Sequence, residues 1–160
     1  MNNVINMKKK IYILSFLFLI LDFISKTIVK SKMTLNSSIE IIKNFFNITY
    51  VENTGAAFSI FQGKQIFLII LGLIILFGII YYLRKETLTK LKVIYYSLLI
   101  GGIIGNLIDR IRYNLVIDFL DFKIFNYDAP IFNLADTFIC IGVMLIILES
   151  IIGGFNGNKS

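Results

Sequence analysis

IFLIILGLIILFGIIYYL, residues 66–83, runs eighteen positions without a charge. A helix of that length rises about 27 Å, close to the hydrocarbon thickness of a bilayer. Lys64 precedes the run and Arg84-Lys85 closes it. Three comparable stretches, about 11–29, 93–108 and 133–152, complete a set of four. The sequence therefore predicts a membrane all-α fold. Four transmembrane helices and a small extracytoplasmic β-sheet and loop region make a single domain over residues 1–160.

Composition carries the same message. Of 160 residues, 57% are hydrophobic and 16% charged, and the mean hydropathy is +0.80. A soluble domain of this size has too little interior to enclose so much apolar side chain. The net charge of +6 comes from residues clustered at the ends of apolar runs. There they serve lipid headgroups and topology, and no nucleic-acid partner is expected.

Lys8-Lys9-Lys10 ahead of the first run resembles the start of a signal peptide, but no small-x-small cleavage site follows. The run reads as an uncleaved span with the N-terminus in the cytoplasm. Four spans then put both termini inside and residues 31–64 outside. The basic loop 84–92 stays inside, although Lys30, Lys32, Lys43 and Lys64 weaken the charge asymmetry. Within the outer segment, residues 45–51 are β-branched and aromatic, and Asn53-Thr54-Gly55 signals a turn. Gly101 and Gly105 form a small-xxx-small pair suited to close helix approach. The polar tail 153–160 reads as a mobile end.

The chain has no histidine, which removes Ser-His-Asp and Cys-His catalysis and the usual zinc sites. Cys140, the single cysteine, lies in an apolar run and reads as a small core residue. Chemistry must rest on carboxylates, lysine, serine or backbone, with no metal or cofactor. Acids at a bilayer edge are costly and tend to serve a function.

Asp118 falls in a short extended stretch, residues 115–120, and Asp136 follows Pro130 and Asn133. Asn133 suits the N-cap of the fourth span, which puts Asp136 in its first turn. Alone, Asp136 reads equally well as helix trim. As a pair, two carboxylates in a partly dry site resist double ionisation and share a proton. One then activates water while the other hydrogen-bonds a scissile carbonyl. Asp109 is the competing partner, read as neutralising Arg110 or Arg112. Asp121 reads as a solvated loop carboxylate. Asp22 and Lys26, four apart, either lower each other's burial cost or touch substrate.

Three other classes fit the composition. A transporter would line an ion path with these groups, but the halves show no inverted repeat. A Ser-Lys peptidase would use Lys26 with Ser25, Ser59 or Ser97. A structural assembly factor would tolerate loss of either aspartate.

Five strings occur in order: Asp22-x-x-x-Lys26, Asn53-Thr54-Gly55-Ala56-Ala57-Phe58-Ser59, Gly105-Asn106-Leu107-Ile108-Asp109-Arg110, Val116-Ile117-Asp118-Phe119 and Phe132-Asn133-Leu134-Ala135-Asp136. Together they resemble bacterial lipoprotein signal peptidase, signal peptidase II, across nearly the whole chain. The resemblance implies an intramembrane aspartic endopeptidase of the bacterial cytoplasmic membrane. Such an enzyme cuts diacylglyceryl-modified prolipoproteins just before the lipidated cysteine, with its site near the extracytoplasmic face. It implies Asp118 and Asp136 as catalytic residues. Asp22, Lys26, Asn53, Asn106, Arg110 and Asn133 form the implied polar shell, Gly55, Ala56 and Phe58 lie in the outer segment, and Val116 and Ala135 flank the acids. Membrane lipid is the implied surrounding, globomycin-like peptide antibiotics the implied inhibitors, and a monomer the implied state.

Overall fold

The computed structural model describes residues 2–56, 60–124 and 127–157. Four helices, α1 (Asn2–Lys32), α2 (Gln65–Tyr82), α3 (Lys90–Tyr113) and α4 (Leu134–Gly157), carry the apolar runs. Four strands join them: β1 (Ser38–Ile42), β2 (Phe46–Asn53), β3 (Val116–Ile124) and the two-residue β4 (Tyr127–Asp128). All four helices contain stretches long and apolar enough to cross a bilayer.

The helices run past the apolar stretches at both ends of the chain. α1 includes Lys8-Lys9-Lys10, and α4 continues through Gly157, so most of the tail expected to be mobile is helical. Lysine is a good helix former, and a helix already held by packing propagates through it at little cost.

α3 is the hub. It packs against α1, α2 and α4, and its middle is the most buried of the four spans. Thr89 caps its start by accepting a hydrogen bond from Lys92 N at 3.1 Å. Asn114 ends it in the left-handed region, φ 57°, with its N–H on Arg110 O. Asparagine tolerates that conformation, and the chain turns directly into β3.

Glycines set the helix spacing. A Cβ on Gly101 would lie 2.8 Å from Ser15 O, and one on Gly105 would lie 2.5 Å from Asp22 Oδ2. Both members of the expected pair thus admit α1. Gly102 does the same for α4, because a Cβ there would lie 2.5 Å from Ala135 O.

β1, β2 and β3 pair antiparallel in sequence order, and β4 extends the sheet beyond β3. The pairing of Val51 with Asp118 and of Asn53 with Val116 brings the outer segment onto the acid-bearing strand. Tyr50, Ile117 and Phe119 pack beneath the sheet against Val29 of α1. At the other end of the bundle, Lys8 Nζ donates to Arg84 O at 3.1 Å, so the N-terminal lysines and the loop 84–89 share one end. The outward faces of α2 and α4 stay apolar, with Ile66, Ile74, Phe77, Met144 and Ile152 exposed. That much exposed apolar surface fits lipid, not water.

Candidate active site

Asn133 is the local organiser. Its Oδ1 accepts from Asp136 N at 2.9 Å, and Asp136 Oδ2 reaches back toward Asn133 N at 3.4 Å. This reciprocal arrangement is a capping box, so Asn133 is the N-cap and Asp136 sits in the first turn of α4. The other side of the same carboxamide leaves the helix. Asn133 Nδ2 donates to Asp118 Oδ1 at 2.6 Å and to Asn106 Oδ1 at 3.2 Å. One fully buried asparagine therefore touches both candidate acids.

Asp118 arrives on β3 and is 2% exposed. Its second oxygen accepts from Asn53 Nδ2 at 2.8 Å, across the β2–β3 pairing. Burial pushes its carboxyl up to about 7, and the nearby Asp136 adds to the rise. The hydrogen bonds from Asn53 and Asn133 pull the other way. Near neutral pH Asp118 is therefore close to the midpoint of its titration and can serve as donor or acceptor of a proton. Asp136 Oδ1 accepts from Asn106 Nδ2 at 2.7 Å.

Behind Asn106 lies a buried ionic cage. Lys26 Nζ meets Asp22 Oδ2 at 2.8 Å, Asp109 Oδ2 at 3.1 Å and Asn106 Oδ1 at 3.1 Å. Asp22 Oδ1 accepts from Ala135 N at 2.9 Å, which satisfies an unpaired amide of the first turn of α4. Asp109 Oδ2 accepts from Ile117 N at 3.3 Å. Each charge is both paired and hydrogen-bonded, the condition under which buried charge is tolerable. Asp109 thus neutralises Lys26, and the expected pairing with Arg110 or Arg112 is not made. Its partner lies 83 residues away in sequence, outside the reach of local spacing.

Arg110 instead donates from Nη2 to Gly55 O at 3.1 Å, while its buried Nε has no protein partner. Asn53 Oδ1 accepts from Gly55 N at 2.8 Å, closing the turn. Ala56 follows on the same loop. Phe58, with Ala57 and Ser59, lies outside the described residues.

Both aspartates open onto a cavity of about 840 Å³, bordered by Asn53, Ala56, Arg110 and Val116 on its polar side and by α4 on its apolar side. Cys140 lines that apolar side and is exposed, contrary to its expected core position. An apolar run on a lipid-facing helix does not distinguish core from cavity wall. Glu52 also borders the cavity and accepts from Tyr50 Oη at 2.8 Å, a placement its sequence neighbours did not signal. Asp121, expected in a loop, is half-buried on β3 and accepts from Thr49 Oγ1 at 2.6 Å. Ser25 and Ser97 donate to the backbone carbonyls of Asp22 and Val93. Neither hydroxyl bonds Lys26, so among the described residues the Ser-Lys arrangement is not assembled.

A family model described as Signal peptidase (SPase) II matches residues 14–152. The chain belongs to the signal peptidase II family. It is 40% identical over 150 residues to a lipoprotein signal peptidase of Bacillus pumilus, covering 93% of this chain and 97% of that one. A lipoprotein signal peptidase of Halothermothrix orenii is 43% identical over 139 residues, covering 86% of this chain and 92% of its own length. The fold also superimposes on a solved bacterial membrane enzyme with a TM-score of 0.86 and 38% identity, over 94% of this chain and 91% of that one. As a signal peptidase II the protein is a membrane protease, and the transporter and assembly-factor readings fall away.

Proposed function

We propose that this protein removes the signal peptide from diacylglyceryl-modified prolipoproteins, cutting just before the lipid-bearing cysteine, with Asp118 and Asp136 as the catalytic pair. The observation that carries the proposal is the double engagement of Asn133, which orients both carboxylates at the edge of one cavity. A pair holding one proton has the two functions that peptide hydrolysis needs. The ionised carboxylate takes a proton from water as its oxygen attacks the scissile carbonyl carbon. The protonated partner donates a hydrogen bond to the carbonyl oxygen as it gains negative charge. Collapse of the tetrahedral species breaks the C–N bond, and a carboxyl returns a proton to the leaving amine.

Asn53, Asn106 and Asn133 hold the pair; Asp22, Lys26 and Ala135 hold the start of α4. Arg110, with an unpartnered buried Nε, and the Gly55–Ala56 backbone present polar groups to an extended substrate. Val116 is assigned to the cavity wall, and Phe58 is proposed to pack around the substrate's lipid. Keeping the diacylglyceryl group against α4 avoids exposing acyl chains to water, at about 0.8 kcal/mol per methylene.

The proposed setting is the bacterial cytoplasmic membrane, with both termini cytoplasmic and the site near the extracytoplasmic face. Support comes from the basic residues 8–10 and 84–92 gathered at one end, opposite the sheet. A monomer is the proposed state. Globomycin-like peptides are proposed to inhibit by filling the same cavity.

Asp118→Asn and Asp136→Asn test the scheme in membranes supplied with a lipidated precursor. Each variant should insert and accumulate normally while cleavage is abolished. Turnover retained in either one would refute the dyad.

A further inference from the structure

A second cavity, of about 240 Å³, lies between α1 and α3 and shares no lining residue with the first. Lys26 and Asp109 are part of its lining, already paired with each other. Lys30 and Tyr113 also line it; Lys30 Nζ sits 3.8 Å from the centroid of the Tyr113 ring, and the guanidinium of Arg112, outside the lining, sits 5.2 Å from the same centroid. Two cations thus gather on one ring, and among the described residues neither has a carboxylate within ion-pair distance. A ring face attracts each cation without neutralising it, so the like charges still repel. An anion bound near both would relieve that repulsion.

The position of the groove indicates which anion. It lies at the sheet end of the bundle, at the ends of two membrane-spanning helices, where lipid headgroups are the abundant anions. Phe23, Ile24 and Ile28 continue from it along α1 as exposed apolar surface. The groove has room for a headgroup, and the α1 surface suits acyl chains. The hydroxyls of Thr27 and Ser31 are committed to the Phe23 and Ile28 carbonyls, so Lys30 and Arg112 must supply the recognition. Basic pockets between transmembrane helices bind anionic headgroups by this chemistry.

We propose that the α1–α3 groove beside Tyr113 is a binding site for the phosphodiester headgroup of an anionic glycerophospholipid. The test uses the full-length protein reconstituted in nanodiscs of phosphatidylcholine containing a minor fraction of phosphatidylglycerol. Lipids retained after extraction are then identified by native mass spectrometry. The wild-type protein should retain phosphatidylglycerol in preference to phosphatidylcholine. Lys30→Gln and Arg112→Gln should each lower that preference about fivefold, and the double variant further. Lys43→Gln, on the exposed β1–β2 turn, should leave it unchanged.

Cleavage of a lipidated precursor in neutral detergent should persist in all these variants, which separates a lost lipid site from a misfolded protein. Equal retention by wild type and double variant overturns the site. Displacement by millimolar glycerol phosphate would also overturn it, by making a free phosphate ester the ligand. Because the readout is bound lipid, the result is independent of the proposed aspartate chemistry.

Discussion

Replacing Asp118 with asparagine should change the pH dependence of stability as well as abolish cleavage. The folded carboxyl titrates near 7 against an ordinary 3.8, because it is buried and faces Asp136. Such a group binds more protons folded than unfolded between those values. Its contribution is therefore intact below about pH 4 and is lost as pH rises through about 7. The difference corresponds to a loss on the order of 4 kcal/mol in the wild type. Asparagine does not ionise, so the variant escapes this loss.

The variant carries a different cost. Both Asp118 oxygens accept from side-chain amides, Asn53 Nδ2 at 2.8 Å and Asn133 Nδ2 at 2.6 Å. A carboxamide can accept from only one of them, a penalty of about 1–3 kcal/mol at every pH. The two effects have opposite signs, so the stability curves should cross. At about pH 4 the variant should be the less stable protein, and by pH 9 it should be the more stable. Unfolding in mixed micelles, followed by circular dichroism from pH 4 to 9 in one detergent, reads the difference. Curves that stay parallel, or a wild type that gains on the variant as pH rises, would refute the placement of Asp118 in a dry site beside Asp136.

Gly105→Ala forces a Cβ to 2.5 Å from Asp22 Oδ2 and should cost about 1–3 kcal/mol with most of the activity, seen as a lowered melting temperature and slower precursor cleavage. Gly78→Ala, which meets nothing within 4 Å, should be neutral or slightly stabilising in the same assays. Lys26→Met leaves Asp22 and Asp109 uncompensated and should destabilise by about 3–5 kcal/mol, measured as loss of folded protein in SDS titration. Asn133→Ala removes the N-cap and the bridge to Asp118 together; it should cost about 1–2 kcal/mol of stability but reduce kcat far more than the cap alone explains. Cys140→Ala should cleave normally, while a bulky maleimide on the wild-type Cys140 should block cleavage by filling the cavity.

Elements set by local periodicity were legible in the chain. The chargeless run 66–83 could only be a span, the β-branched stretch 45–51 became most of β2, and Pro130 with Asn133 marked where α4 begins. The residue types that make up the polar cage were also visible, as were the two glycines that admit α1. Pairing between those groups was not. Asp109 lies one residue from Arg110 and three from Arg112, yet its ion pair is with Lys26 on another helix. Local spacing favours near neighbours, and only packing brings a distant one closer.

By itself, then, the sequence determined that the chain carries four spans long and apolar enough to cross a membrane, that its chemistry cannot use histidine, and that any catalysis must rest on carboxylates, lysine, serine or backbone. These follow from composition and from repeats of one or two helical turns, which the chain carries locally. The tertiary structure decided which acids meet. Asp118 approaches on a strand held by Asn53 and Asp136 on a helix start held by Asn106, and the two converge on Asn133 because the glycines of α3 let α1 and the start of α4 close in. Convergence of that kind depends on backbones meeting at atomic distance, and no segment of the sequence contains it alone.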